Sequence, residues 1–191
     1  MQIFRKFFKF LYKIAGPRAK YWYRLTMFLT KARDYRVPVF SRIVDIPVRL
    51  KWGKQYRKDP WGGALDYMSH PTRIERNILE KRKIGDCDDH AIYWCVALLK
   101  SKLASKVWLS FYGMAKEDDS IGGHVVCVFE DFDGVLYYAD YGMPKKINYI
   151  TVWPYASANQ RDAFPFSAHM FEVTSIKSDD TPVFGRGRKI I

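Results

Sequence analysis

Residues 87–140 carry the pattern that most limits the fold: one long helix followed by three strands. Ala91, Trp94, Cys95, Leu98 and Leu99 recur at helical spacing and predict a helix over 87–103. Strand patterns follow at Lys106–Gly113, His124–Glu130 and Val135–Asp140. The first two are apolar on both faces, as strands enclosed by a core are. With 191 residues the chain can bury one sizeable core and carry an appended element.

The remainder of the chain is less strongly patterned. Ile3, Phe7, Phe10, Leu11 and Ile14 give residues 2–14 the spacing of a basic amphipathic helix, which Gly16-Pro17 ends. A second aromatic and basic helix is expected over 18–36. Pro38 and Pro47 suggest extended or edge segments. Asp59-Pro60-Trp61-Gly62-Gly63 reads as a loop opening a short helix through Tyr67, and 72–82 as a charged helix. Residues 141–175 read as loops alternating with short aromatic segments, and the stretch from Ser178 as a mobile basic tail. The expected division is a basic helical extension over 1–45, a main domain over 46–177 and the tail over 178–191.

Charge separates the chain into two parts. Residues 1–58 hold 16 Lys and Arg against Asp34 and Asp45, a net of +14; residues 59–191 hold 16 against 18 acids, a net of −2. A membrane surface or another anionic partner would therefore meet residues 1–58, and no specific nucleic acid is expected. Three cysteines at wide spacing, Cys87, Cys95 and Cys127, argue against a disulfide framework and for a reducing, cytoplasmic setting. Basic residues interrupt the apolar start, so no secretory signal is expected, and no apolar run is long enough to span a bilayer.

Gly85-Asp86-Cys87-Asp88-Asp89-His90-Ala91 opens the central helix. Asp86 is a suitable N-cap with Asp89 as an approximate capping-box partner, which puts Cys87 at the first helical position. The positive end of the helix favours a thiolate there, and backbone N–H groups of the first turn can donate to an oxyanion forming beside the sulfur. Asp88 and Asp89 oppose negative charge on sulfur, so a neighbouring cation is wanted. Cys95 and Cys127 lie inside apolar runs and read as ordinary buried cysteines.

His124 begins one strand and Asp140 closes the next. With a hairpin loop centred on Phe132, the two are direct cross-strand neighbours with Cβ atoms about 5 Å apart. The carboxylate could then hold one imidazole nitrogen and leave the other for Cys87. A two-residue turn at Asp133-Gly134 would instead pair Asp140 with Cys127. His90, one helical turn beyond Cys87, is the rival base; His70 and His169 have no comparable setting. Cys87, His90, Cys95, His124 and Cys127 are of metal-binding type, but their spacing fits no common zinc site, and no metal or other cofactor is expected.

The heptapeptide around Cys87 resembles the GDCxDxA nucleophile motif of bacterial transglutaminase-like cysteine proteinases. Gly123-His124-Val125 and Tyr138-Ala139-Asp140 are similar to that family's His and Asp blocks in order and approximate spacing, and the likeness covers roughly residues 50–145. It implies an α+β, papain-like or transglutaminase-like core, with the nucleophile helix packed on an antiparallel sheet. It also implies catalysis by Cys87, His124 and Asp140 through a thioester, on an amide of a protein or peptide. Asp59-Pro60-Trp61 resembles the segment preceding the nucleophile helix in such proteins, and Trp61, ahead of Trp52 and Gln55, is the candidate oxyanion donor. The basic N-terminal third departs from the family. Two alternatives stay open: a protein-glutamine transglutaminase using the same triad with an amine acceptor, and a non-catalytic interaction module working through the basic N-terminal surface.

Overall fold

The computed structural model of the chain describes residues 21, 23–53, 68–116, 121–147 and 163–189. The described part is α+β. Helix α1 covers 23–30, α2 Asp45–Leu50, α3 Pro71–Leu79 and α4 Cys87–Lys100. The strands are β1 (Lys106–Lys116), β2 (Ile121–Glu130), β3 (Leu136–Ala139), β4 (Lys145–Ile147), β5 (Ala163–Ile176) and β6 (Pro182–Lys189). They form one antiparallel sheet in the order β4-β3-β2-β1-β5-β6. The expected segments at 2–14 and at 59–67 lie outside the described residues.

Helix α4 is buried almost all round, from Asp88 through Leu98. That is more than its apolar stripe suggested, and it fits a helix enclosed between the sheet and other elements. Trp94, Tyr93, Cys95 and Leu98 join Leu109, Cys127, Phe129 and Phe171 from the sheet in one core. The opposite sheet face carries a second buried cluster that includes Trp108, Tyr112, Val126, Val128, Tyr138 and Met170. Both β1 and β2 therefore contribute to two apolar layers, as their largely apolar sequences led one to expect.

Three local expectations change. Pro47 lies inside α2 rather than in an extended edge segment: it occupies the first turn, where a missing N–H costs little. Residues 163–176 form one long strand, β5, which pairs along β1. Residues 182–189, read from sequence as a mobile tail, form β6 against β5. Gly187 makes that last pairing possible, because a Cβ there would collide with the Phe171 ring.

Buried polar groups tie the helical layer together. The Asp180 carboxylate pairs with Lys100 at 2.7 Å and accepts from the Val37 N–H at 2.8 Å, linking the end of α4, the chain beyond α1 and the β5–β6 turn. His70 caps α3, accepting from the Thr72 N–H at 3.2 Å, and its other ring nitrogen lies 3.0 Å from the Thr181 hydroxyl. No helix among the described residues is long and apolar enough to cross a membrane.

Candidate active site

The entrance to α4 begins at Gly85, whose φ of +153° is a conformation that side chains rarely adopt; a Cβ there would also run into the Asp89 carboxylate. Asp86 is extended at the N-cap, and Cys87 is the first helical residue, half-buried and packed against the core. The expected capping box does not form. Asp86 makes no side-chain cap bond, and its Oδ1 is buried without a hydrogen-bond partner. Asp89 instead accepts from the Ser69 N–H and, at 3.2 Å, from the Ser69 hydroxyl. The tertiary partner wins because Ser69 lies in the turn before α3, which packs beside α4 and offers two donors at once. Asp88 accepts from the Asp89 N–H at 2.9 Å.

Carboxylate oxygens of Asp86, Asp88 and Asp89 lie within 4.8 Å of one another, the only cluster of three or more such ligand types among the described residues. It contains no cysteine or histidine, so the Cys/His set weighed from sequence is not gathered around one point there. The acids place negative potential beside Cys87, which raises the demand for a cation near the sulfur.

His124 and Asp140 do meet. His124 Nε2 lies 3.2 Å from Asp140 Oδ2, with both side chains largely shielded from solvent. The approach is close but off the direction of a good hydrogen bond, so the contact is chiefly electrostatic. The register that produces it is neither of the two expected. Cys127 pairs with Ala139 and Glu130 with Leu136, which sets Asp140 opposite Val126 by extension of the ladder. His124 and Asp140 are thus diagonal neighbours, a separation that side chains of their length can bridge. The cause is Asp131, whose Oδ1 accepts from the Asp133 N–H at 3.0 Å and the Val135 N–H at 2.8 Å and so closes a five-residue loop.

The helix and the histidine strand are aligned. The Cys95 thiol sits beside Cys127, and the Ser105 N–H donates to Glu130 O at 2.8 Å just after the helix ends. Helix α4 therefore runs along β2 in the same direction. Cys87 is eight residues before Cys95, about 12 Å along a helix; His124 is three before Cys127, about 10 Å along a strand. Cys87 and His124 therefore lie at the same end of the sheet. Val125, Cys127 and Phe129 turn toward α4, and strand alternation gives His124 the face of Val126 and Val128; Asp140, which meets His124, is nevertheless close enough to α4 to act on His90. Tyr141 connects the two sides at that end, with its ring 4.9 Å from His90 on α4 and 6.2 Å from His124. Nothing in the sequence distinguished Tyr141 from the other aromatics; only the turn of the chain after Asp140 brings it here.

His90 is a poorer candidate than His124 for the cation beside the sulfur. Burial pushes its pKa down to about 4, against the opposite pull of Asp140 and Asp86, and neither ring nitrogen has a hydrogen-bond partner. An unfolded histidine binds a proton below about 6.5, while folded His90 does so only near 4. Unfolding therefore takes up a proton, and stability falls as pH drops from about 6.5 to about 4, by up to about 1.4 kcal/mol per pH unit for this group. His70, also lowered to about 4, first by burial, acts in the same sense. Denaturant unfolding at pH 7 and pH 4.5 should show a smaller loss for His90→Gln than for the wild type; equal losses would show that His90 carries no such penalty.

Trp61 lies outside the described residues, and the oxyanion assignment goes no further. Comparison with protein-family models, with curated proteins and with solved structures found no match for this chain.

Proposed function

We propose that the chain is a thiol-dependent amidase or peptidase of transglutaminase-like type, with Cys87 as nucleophile, His124 as acid and base, and Asp140 as the group that positions His124. The observation that carries this reading is the His124–Asp140 contact of 3.2 Å at the sheet end level with Cys87, itself the first residue of a buried helix. Asp140 holds Nε2, which leaves Nδ1 for the thiol. The thiolate attacks an amide carbonyl, and backbone N–H groups of the first helical turn stabilise the oxyanion. The C–N bond breaks as His124 gives its proton to the leaving amine. Water, losing a proton to His124, then releases the acyl group from sulfur as a carboxylate. In this reading His124 reaches Cys87 around the end of the sheet, and the poorly aligned contact with Asp140 tightens once substrate is bound.

The test is covalent. A thiol-directed acyl probe incubated with the full chain should label one site, and peptide mapping should place the label on Cys87. Cys87→Ala should abolish labelling with an unchanged circular dichroism spectrum. Labelling that persists in that variant would remove Cys87 from the mechanism.

A further inference from the structure

Helix α1 has two apolar faces, and the core needs only one. Tyr23, Thr26 and Met27 turn inward and are buried. Tyr21, Leu25, Phe28 and Leu29 follow the i, i+4, i+7, i+8 spacing of a single stripe, yet they are 61%, 48%, 76% and 70% exposed. Exposed apolar side chains grouped in this way mark an interaction surface far more often than singly scattered ones do.

A cavity of about 530 Å³ opens beside this stripe, between α1 and the β5–β6 turn, and Phe28 belongs to both. Arg24, Lys31 and Lys177 bring three cations to its lining against one carboxylate, Asp179, while Met27 and Phe28 supply apolar wall. Asp179 forms an ion pair with Lys31. Arg24 donates to Phe184 O at 3.3 Å and stacks over the Phe184 ring, which steadies it at the rim.

From this juxtaposition we infer that α1 docks on an anionic lipid bilayer, the Leu25–Phe28–Leu29 stripe entering the acyl boundary and a lipid phosphate seating among Arg24, Lys31 and Lys177. The charge of the surrounding sequence selects this occupant. Residues 1–58 carry a net of +14, which draws the segment to an anionic surface and opposes its pairing with a second copy of itself. A nucleic acid would satisfy the cations but would leave the aliphatic stripe in water. A bilayer satisfies both, and an amphipathic helix with basic flanks is the usual structure that does so. The inference is independent of the chemistry at Cys87.

The full chain is sedimented with vesicles of phosphatidylcholine alone and with vesicles containing about a third phosphatidylglycerol. Wild type should bind the anionic vesicles and leave the neutral ones. Phe28→Glu/Leu29→Glu should weaken binding at least tenfold while leaving the thermal midpoint unchanged, because both side chains are solvent-exposed. Arg24→Glu/Lys177→Glu should abolish the preference for anionic lipid. Soluble glycerol phosphate at millimolar concentration should not compete, since it lacks the acyl layer. Failure to bind anionic vesicles, or binding untouched by the Phe28/Leu29 change, would overturn the proposal. So would a solution dimer that dissociates in that variant, or equal affinity of both forms for duplex DNA with none for vesicles.

Discussion

Alkylation of Cys87 by iodoacetamide should be nearly independent of pH between 6 and 8. A free thiol, with a pKa of roughly 8.5, gains thiolate about tenfold per pH unit over that range. Thiols at helix N-termini beside a cation fall to roughly 3.5–7.5 and are largely ionised throughout it. Cys87 has the helix N-terminus, but Asp86, Asp88 and Asp89 cancel much of that field. The flat profile therefore depends on an imidazolium. In His124→Ala the rate should climb by about fifty- to a hundredfold from pH 6 to pH 8, whereas wild type should change by less than about threefold. At pH 6 the wild-type advantage should be only about tenfold, because a more acidic thiolate is also a weaker nucleophile. Asp140→Asn should fall between the two. Cys95 and Cys127 are fully buried and should stay unmodified in the folded protein, which keeps the readout to one site. A wild-type rate that rises like that of the free thiol would sink the proposed pairing of Cys87 with His124.

Glu75→Ala should cost about 3–5 kcal/mol of stability, the usual consequence of stranding one partner of a buried ion pair. Glu75 is buried on α3, pairs with Arg49 beyond the first turn of α2, and accepts from the Tyr93 hydroxyl of α4 at 2.6 Å. One carboxylate thus joins three helices. Burial, with Glu75 beside it, holds the Tyr93 phenol far above its ordinary pKa, so it remains a donor. Arg49 is held from its other side by the Trp52 ring at 4.7 Å. Without Glu75, the Arg49 guanidinium and the Tyr93 hydroxyl would both be left poorly solvated. Replacing all three groups together, as Arg49→Met/Glu75→Met/Tyr93→Phe, should recover most of the loss, because no charge or donor is then stranded. Urea unfolding of the single and triple variants measures both effects. A single-variant cost below about 1 kcal/mol would show that water reaches Arg49 in place of the carboxylate.

The proposed chemistry and the basic surface occupy different parts of the chain. The site draws on the entrance to α4 and the ends of β2 and β3, whereas the stripe and cavity draw on α1 and the β5–β6 turn. Single changes in one are therefore expected to leave the other intact, and vesicle binding and thiol labelling can be scored on the same variants.

Local chemistry determined the start of α4 from sequence alone. Gly85 supplies a backbone conformation that side chains resist, Asp86 stays extended, and Cys87 follows as the first helical residue. The two doubly apolar strands were legible for a similar reason, since a strand buried on both faces is apolar at most positions, Ser110 and His124 being the buried polar exceptions here. Pairing was decided elsewhere. Asp131 folds its side chain over the β2–β3 loop and moves the register away from both simple turns. Because the shift from the loop centred on Phe132 is an even number of residues, His124 and Asp140 stay on one face and still meet. Asp89 reaches out of its own helix to Ser69, a residue 20 positions away in sequence. Residues 182–189 look like a tail because glycines weaken any strand pattern, yet Gly187 leaves the room that the Phe171 ring occupies beside β6. Sequence by itself determined that α4 begins at Cys87 and β1 at Lys106, since backbone conformation and periodicity act within a few residues. Only the tertiary structure decided which residues oppose one another, because register and burial depend on partners distant in the chain.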